Sequence, residues 1–314
     1  MTEKEIGVPI EVTGGADTAC FDCPRLCGAR RETGPGFCGG GAPGVRVSLV
    51  SRHMWEEPCI SGKKGAGTVF FSGCSLKCAF CQNRALSFEG AGSEISVDRL
   101  SEIFLLLRDA GVGCLDLVTP THYTRAVCEA LRAVKPELGI PVVWNSGGYE
   151  LTETLALTEG LVDVYMPDFK FHSPGLAAGL AGCPDYRERA TEALFFMYRM
   201  LGPAGFDAGG MLTRGLLVRH LVLPGCRADS FAVLDDIASA VPPGDIVLSL
   251  MSQYTPGFYR GDDRRFKRRV TTFEYRSVLR RAEQLGFVKG YAQSAASADP
   301  AYTPDFPDEL KIEL

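Results

Sequence analysis

The sequence predicts an α/β protein built on a partial (β/α)6 TIM-like barrel, with a cysteine-rich, metal-binding extension in front of it. Three observations predict this. From about Gly67 onward, six short apolar runs alternate with helix-length amphipathic segments, a rhythm that calls for parallel strands joined by right-handed crossovers. Six units span less chain than the roughly 250 residues and eight units of a closed barrel. Residues 14–45 are rich in Gly, Cys and Pro and lack apolar periodicity, so they cannot build a core and need a metal to order them.

In chain order, the extension is expected over residues 1–58 with a metal knuckle at 20–38, the barrel over 59–290 and a tail over 291–314. The strands are read from TVFFSG, CLDLVTP, PVVWNSG, VDVYMPDFK, LLVRHLVLPG and DIVLSLMSQY. The helices are read from apolar residues at three- and four-residue spacing over 97–110, 123–134, 151–158, 186–201, 231–240 and 273–285. Three prolines in ADPAYTPDFPDEL make the tail a segment ordered by contact or a loose end. Parallel sheets of this type bind ligands at the C-terminal ends of their strands. The polar residues that end the runs are therefore the candidates: Cys74, then Thr119 and Thr121, Asn145 and Ser146, Asp168 and Lys170, His220, and Gln253 with Tyr254.

Composition narrows the class. The chain has 314 residues, 46% hydrophobic and 23% charged, with a net charge of −5, enough for a substantial core and without general attraction to nucleic acid or acidic membranes. No run approaches about 18 uninterrupted apolar residues. The first residues carry no basic, apolar leader pattern, so the expected compartment is the cytoplasm. Twelve cysteines in a reducing compartment point to metal or redox chemistry rather than disulfides. Cys114, Cys128, Cys183 and Cys226 stand alone and read as small buried hydrophobes.

The segment FFSGCSLKCAFCQN places Cys74, Cys78 and Cys81 directly after the first strand. Thiolates so close in sequence can hold three corners of a cubane cluster from one loop and leave the fourth iron open. The same spacing would also put three thiols on one helical face. A zinc ion there would need a fourth ligand, for which Cys59 or His53 could serve.

CSLKCAFCQN resembles the signature of the radical S-adenosylmethionine (SAM) superfamily, with Phe80 as the aromatic before the last cysteine. With EEPCISG, GTVFFSGCSLKCAFCQN, LVTPTHY, WNSGGYE, PDFK and RHLVLPG, the chain is similar to pyruvate formate-lyase activating enzyme and its PflX-like relatives over most of residues 55–260. That resemblance implies a barrel of the radical SAM type and a [4Fe-4S] cluster on Cys74, Cys78 and Cys81. SAM would chelate the open iron and be cleaved to a 5′-deoxyadenosyl radical that abstracts hydrogen. It also implies SAM contacts from Thr119, Thr121, Asn145, Ser146, Met166, Asp168, Lys170, Arg219, His220 and Tyr254, with Lys170 pairing the SAM carboxylate. Thr119-Pro120-Thr121-His122 stands where the superfamily often has GlyGlyGlu. Asn145 replaces an acid that, in the activases, helps to hold a monovalent cation.

The N-terminal Cys20, Cys23, Cys27 and Cys38 are spaced by two, three and ten residues. Four thiolates satisfy a tetrahedral structural zinc, and they satisfy a second iron-sulfur cluster equally. The run 262–269, DDRRFKRR, reads as a solvated helix start or a docking patch for an acidic electron carrier. The partners implied by the resemblance are reduced flavodoxin or ferredoxin as electron donor and a glycyl-radical enzyme as substrate. Modification of a small molecule or peptide is the second functional reading. A non-catalytic iron-sulfur or zinc protein is the third.

Overall fold

A computed structural model of the chain describes residues 19–41, 44–293 and 304–314. The elements begin with β1 (Val45–His53), a four-residue helix α1 (Pro58–Ser61), β2 (Ala66–Phe71) and β3 (Ser93–Ile95). The regular alternation follows: α2 (Val97–Asp109), β4 (Cys114–Val118), α3 (Thr124–Leu138), β5 (Val142–Ser146), α4 (Thr152–Leu155) and β6 (Val164–Pro167). Two helices come next, α5 (Pro174–Ala181) and α6 (Tyr186–Leu201), then β7 (Gly205–Phe206), β8 (Leu212–Leu221), α7 (Arg227–Ala240) and β9 (Val247–Met251). The last elements are α8 (Thr272–Gln284), β10 (Gly290–Ala292) and β11 (Lys311–Glu313).

The six expected strands are β2, β4, β5, β6, β8 and β9, and they pair in parallel in that order. The sheet stays open, with β1 and β11 beyond β2 and β10 beyond β9, so the architecture is a partial barrel. The sheet also begins earlier and ends later than the expected span of 59–290. β1 pairs antiparallel with β2, and β11 pairs with β1, so the tail is ordered by contact over 304–314. Phe306 packs edge-on to Phe70, with ring centroids 5.2 Å apart, and Ser48 Oγ donates to the Pro307 carbonyl at 2.8 Å.

Strand alternation divides the core into two layers. Outward residues such as Leu115, Leu117, Trp144, Tyr165, Leu216 and Val218 pack under the helices. Inward residues Cys114, Val143, Val164, Leu217 and Val247 close on Cys59 and Ile60 of α1, which plugs the barrel floor. The isolated cysteines Cys114, Cys128, Cys183 and Cys226 are all buried, and so is Cys59.

The helices start where the chain supplies caps. Ser96 accepts from the Arg99 N–H at the head of α2, and Ser173 with Pro174 opens α5. Thr271 and Glu274 form a capping box on α8. That box explains why the basic run does not begin a helix. Residues 264–267 form a 3-10 turn around buried Phe266, while Arg265 pairs with Asp263 and Arg268 with Glu274. Pro136 does not end α3, because a proline in the last turn costs one hydrogen bond and the helix closes on Gly139 at φ 63. Among the described residues, no helix is long and apolar enough to cross a membrane.

The buried face of α2, Leu100, Ile103, Phe104 and Leu107, gives a direct check on this packing. Phe104→Ala should lower unfolding stability by about 3–5 kcal/mol. Leu106→Ala, on a residue 39% exposed, should change it by less than about 1 kcal/mol. Equal shifts of the two urea midpoints would contradict the assigned helix face.

Candidate functional site

The loop leaving β2 owes its shape to two backbone positions. Gly73 has φ +93, and a Cβ there would stand 2.6 Å from the Cys38 carbonyl, so only glycine admits the extension this close. Lys77, between Cys74 and Cys78, has φ 54, a left-handed conformation that non-glycine residues rarely adopt. It turns the chain back on itself, and no helix forms over 74–81. Thr119, at the end of β4, is strained in the same way at φ 61, as residues in ligand-binding loops often are.

A cavity of about 230 Å³ opens at the C-terminal ends of the parallel strands. Cys74, Cys78 and Cys81 line one side, and Thr119, Asn145, Ser146, Asp168, Lys170, Arg219, Gln253 and Tyr254 line the rest. Phe80 and Tyr254 form an aromatic wall, with centroids 6.1 Å apart. The tail contributes Pro304. Burial pushes the Cys78 and Cys81 thiols up, while the nearby Lys170 ammonium favours the Cys78 thiolate.

A buried layer of charge lies beside the thiols. Arg219 Nε donates to Asp168 Oδ1 at 2.9 Å, Nη2 to Asn145 Oδ1 at 2.6 Å and Nη1 to Glu56 Oε2 at 3.4 Å. Lys170 Nζ also donates to Asp168. Burial would raise the Asp168 carboxyl, but Arg219 and Lys170 outweigh it and hold it low. Asp116, on β4, lacks such pairing. Its burial pushes it up to about 7 despite Arg219 and Asn145, and its Oδ1 has no hydrogen-bond partner. Glu56 is raised by burial and then by Asp116.

Three of the expected SAM contacts lie outside the cavity. Thr121 sits in the 3-10 turn after β4, and its hydroxyl donates to Glu150 Oε1 at 2.8 Å. Met166 is buried in the apolar layer with Val143 and Val164. His220 is a core histidine between the Phe169 carbonyl at 2.7 Å and Ser230 Oγ at 2.9 Å, and its burial keeps the ring neutral. Tyr254 presents its ring only, because its hydroxyl donates to the Phe266 carbonyl at 2.7 Å.

Sequence reasoning passed over Glu56, Asp116 and Glu150. Glu150 is buried and accepts from Thr121, from Trp144 Nε1 at 2.9 Å and from Ser146 Oγ at 3.0 Å, so it fixes two loops at once. The available signal was an acid inside an apolar run, as Asp116 is within CLDLV. Burial of that kind is costly unless the group is used.

The donor set fits a cubane cluster held at three corners. Three thiols of one loop share the cavity, and among the described residues no other cysteine lines it. His53 lines the cavity too, whereas Cys59 lies in the floor layer. The extension packs on this loop: Cys74 N–H donates to the Cys38 carbonyl at 2.9 Å, and Arg25 Nε donates to the Ser75 carbonyl at 2.6 Å. Cys23 is close enough to Cys38, Cys20 and Cys27 to feel their charge, and burial pushes its thiol up to about 12.

Residues 60–166 match the family described as a 4Fe-4S single cluster domain. The uncharacterized protein MJ0674 of Methanocaldococcus jannaschii is 26% identical over 294 residues, covering 89% of this chain and 78% of that protein. Among solved structures, methylornithine synthase superposes with a TM-score of 0.45 at 17% identity over 76% of this chain. The chain spans 63% of the length of that structure.

Asp116 provides a test of the buried layer. Its folded carboxyl at about 7 against 3.8 for an unperturbed aspartate means that the native state keeps a proton the unfolded state releases. The stability it contributes is full below about pH 4 and is lost as pH rises through about 7. Asp116→Asn should flatten that loss, measured as urea midpoints from about pH 5 to about pH 8. Parallel losses in both proteins would remove Asp116 from the role of buried acid.

Proposed function

We propose that this chain is a radical SAM enzyme whose Cys74, Cys78 and Cys81 hold a [4Fe-4S] cluster. The observation that carries the reading is the meeting of three thiols from one loop with the Asp168, Lys170 and Arg219 array in one cavity at the strand ends. The match of residues 60–166 to a 4Fe-4S single cluster family supports the cluster. Held by Cys74, Cys78 and Cys81, such a cluster would supply the low-potential electron that reductive SAM cleavage and hydrogen abstraction require.

The chain's own residues bind, orient and exclude. Lys170 offers a point charge to the SAM carboxylate while Asp168 keeps it protonated and aimed. Arg219 fixes Asn145 and Asp168 together, so the two strand ends present their polar groups in one register. Glu150 holds Ser146 against the cavity wall. Phe80, Phe70 and Tyr254 supply apolar surface that keeps water from the reactive centre.

The resemblance to the activases supports hydrogen abstraction from a glycine of a protein partner, with reduced flavodoxin or ferredoxin as donor and the cytoplasm as the compartment. Reduced, anaerobically reconstituted protein should release 5′-deoxyadenosine from SAM, and Cys78→Ala should abolish it. Release by the variant at the parent rate would refute the ligand assignment. Lys170→Ala should weaken SAM binding by about ten- to a hundredfold, the loss expected for a hydrogen bond to a charged group. A doublet radical signal on a glycyl-radical partner would support activation. Its absence, with SAM still cleaved, would favour a small-molecule or peptide substrate.

A further inference from the structure

We propose that Glu56 and Asp116 bind the primary ammonium group of a small-molecule substrate at the floor of the strand-end cavity. This rests on the radical SAM reading of that cavity and names the class of molecule that would share it with SAM. Two features of the floor carry it: a buried acceptor without a donor, and an excess of carboxyls over cations.

Glu56 stands just before α1 and lines the cavity together with Val118, Asn145 and Arg219. Asp116 lies beneath them. On β4, Cys114 belongs to the floor layer and Val118 lines the cavity, so strand parity points Asp116 inward between the two. Asp116 is fully buried. Asn145 Nδ2 donates to its Oδ2 at 3.5 Å, while its Oδ1 has no hydrogen-bond partner. Glu56 is close enough to Asp116 to feel its charge and shares a hydrogen bond with Glu57, which requires a proton on one of those two carboxyls.

The groups that face the pair come from every neighbouring element. β8 sends Arg219, β5 sends Asn145, and β2 places Thr68 beside Asp116. Cys59 of α1 and Cys114 lie below in the floor layer, and His53, also on the cavity wall, is kept neutral by burial. Four carboxyls, those of Glu56, Glu57, Asp116 and Asp168, thus meet two cations, Arg219 and Lys170. Lys170 is engaged by Asp168, and Arg219 reaches Glu56 only at 3.4 Å because its closer bonds go to Asp168 and Asn145. A primary ammonium answers both features, since it brings one positive charge and three N–H donors. A hydroxyl would bring a donor without the charge. A metal ion lacks ligands, because among the described residues no three His, Cys, Asp or Glu side chains are grouped to hold one. Phe70, Val118, Leu221 and Met251 line the same cavity and offer apolar surface to the carbon stem of such an amine. A glycine within a protein chain carries no ammonium, so this floor favours a small amine.

Anaerobically reconstituted full-length protein, with SAM present, tests this by calorimetry against n-butylammonium chloride, 1-butanol, tetramethylammonium chloride and sodium chloride. At matched ionic strength, n-butylammonium should bind at least about tenfold tighter than 1-butanol, and neither sodium nor tetramethylammonium should displace it. This comparison needs no variant. Asp116→Asn and Glu56→Gln should each remove the preference for the amine while 1-butanol binds as before. Wild-type affinity for the amine should rise about tenfold from about pH 6 to about pH 8, because the ammonium requires an ionised Asp116, whose carboxyl titrates at about 7. Asp116→Asn should lose most of that rise. Equal binding of amine and alcohol, displacement by sodium, or a variant that keeps the preference would overturn the assignment. Loss of the radical SAM reading would appear separately, as no 5′-deoxyadenosine from reduced wild-type protein, whatever the amine does.

Discussion

The site depends on how one guanidinium is placed. Arg219 is buried among Asp168, Asn145 and Glu56, and with Lys170 it balances most of the negative charge brought into the barrel. A buried carboxylate without such a partner either takes up a proton or costs several kcal/mol. Asp168 has Arg219 and Lys170 and stays ionised, whereas Asp116 leans towards its neutral form. The difference between the two acids is one of position relative to Arg219. It leaves the upper layer charged and the layer beneath it able to exchange a proton.

That placement follows from strand alternation. Arg219 lies between Val218 and His220 on β8, so when Arg219 points into the barrel its neighbours point to the helices. Only one of Arg219 and His220 can therefore reach the cavity, and Ser230 on α7 waits for the other. Asp168 is bridged to Arg219 across the gap between β6 and β8, which puts both in the same layer. Met166 shares the inward face with Asp168 but sits one step lower, among Val143 and Val164. Parity alone selects the face, while depth along the strand selects between apolar packing and the cavity.

Much of this was legible in the chain. The six parallel strands and the helices between them, α5 (Pro174–Ala181) excepted, follow from apolar periodicity, and the thiol set follows from its spacing and the strand before it. What periodicity could not show are the pieces that hold their place by contact. β1 is held between β2 and β11, two strands far apart in sequence, and β11 closes the edge, while α1 is too short for a periodic signal. A threonine just past a strand end reads as facing the ligand, whereas the 3-10 turn there directs the Thr121 hydroxyl to Glu150. Glu150 itself stands in the Gly147-Gly148-Tyr149 loop after β5, a place where an acid ordinarily marks solvent.

The cysteine loop is short and irregular, so its order must be imported. Its groups are tied to three other parts of the chain: Cys74 N–H to the extension, Ala79 N–H to the Leu180 carbonyl at the end of α5, and the Ala79 carbonyl to the Arg260 N–H. Arg25 takes the Ser75 and Leu76 carbonyls on the remaining side. A loop held this way keeps its three thiols in place before any ligand arrives, which lowers the ordering entropy that binding would otherwise cost. The strained Lys77 is tolerated for the same reason, since the surrounding bonds over-determine its conformation. Removing the extension would therefore act on the inner site first through loop order.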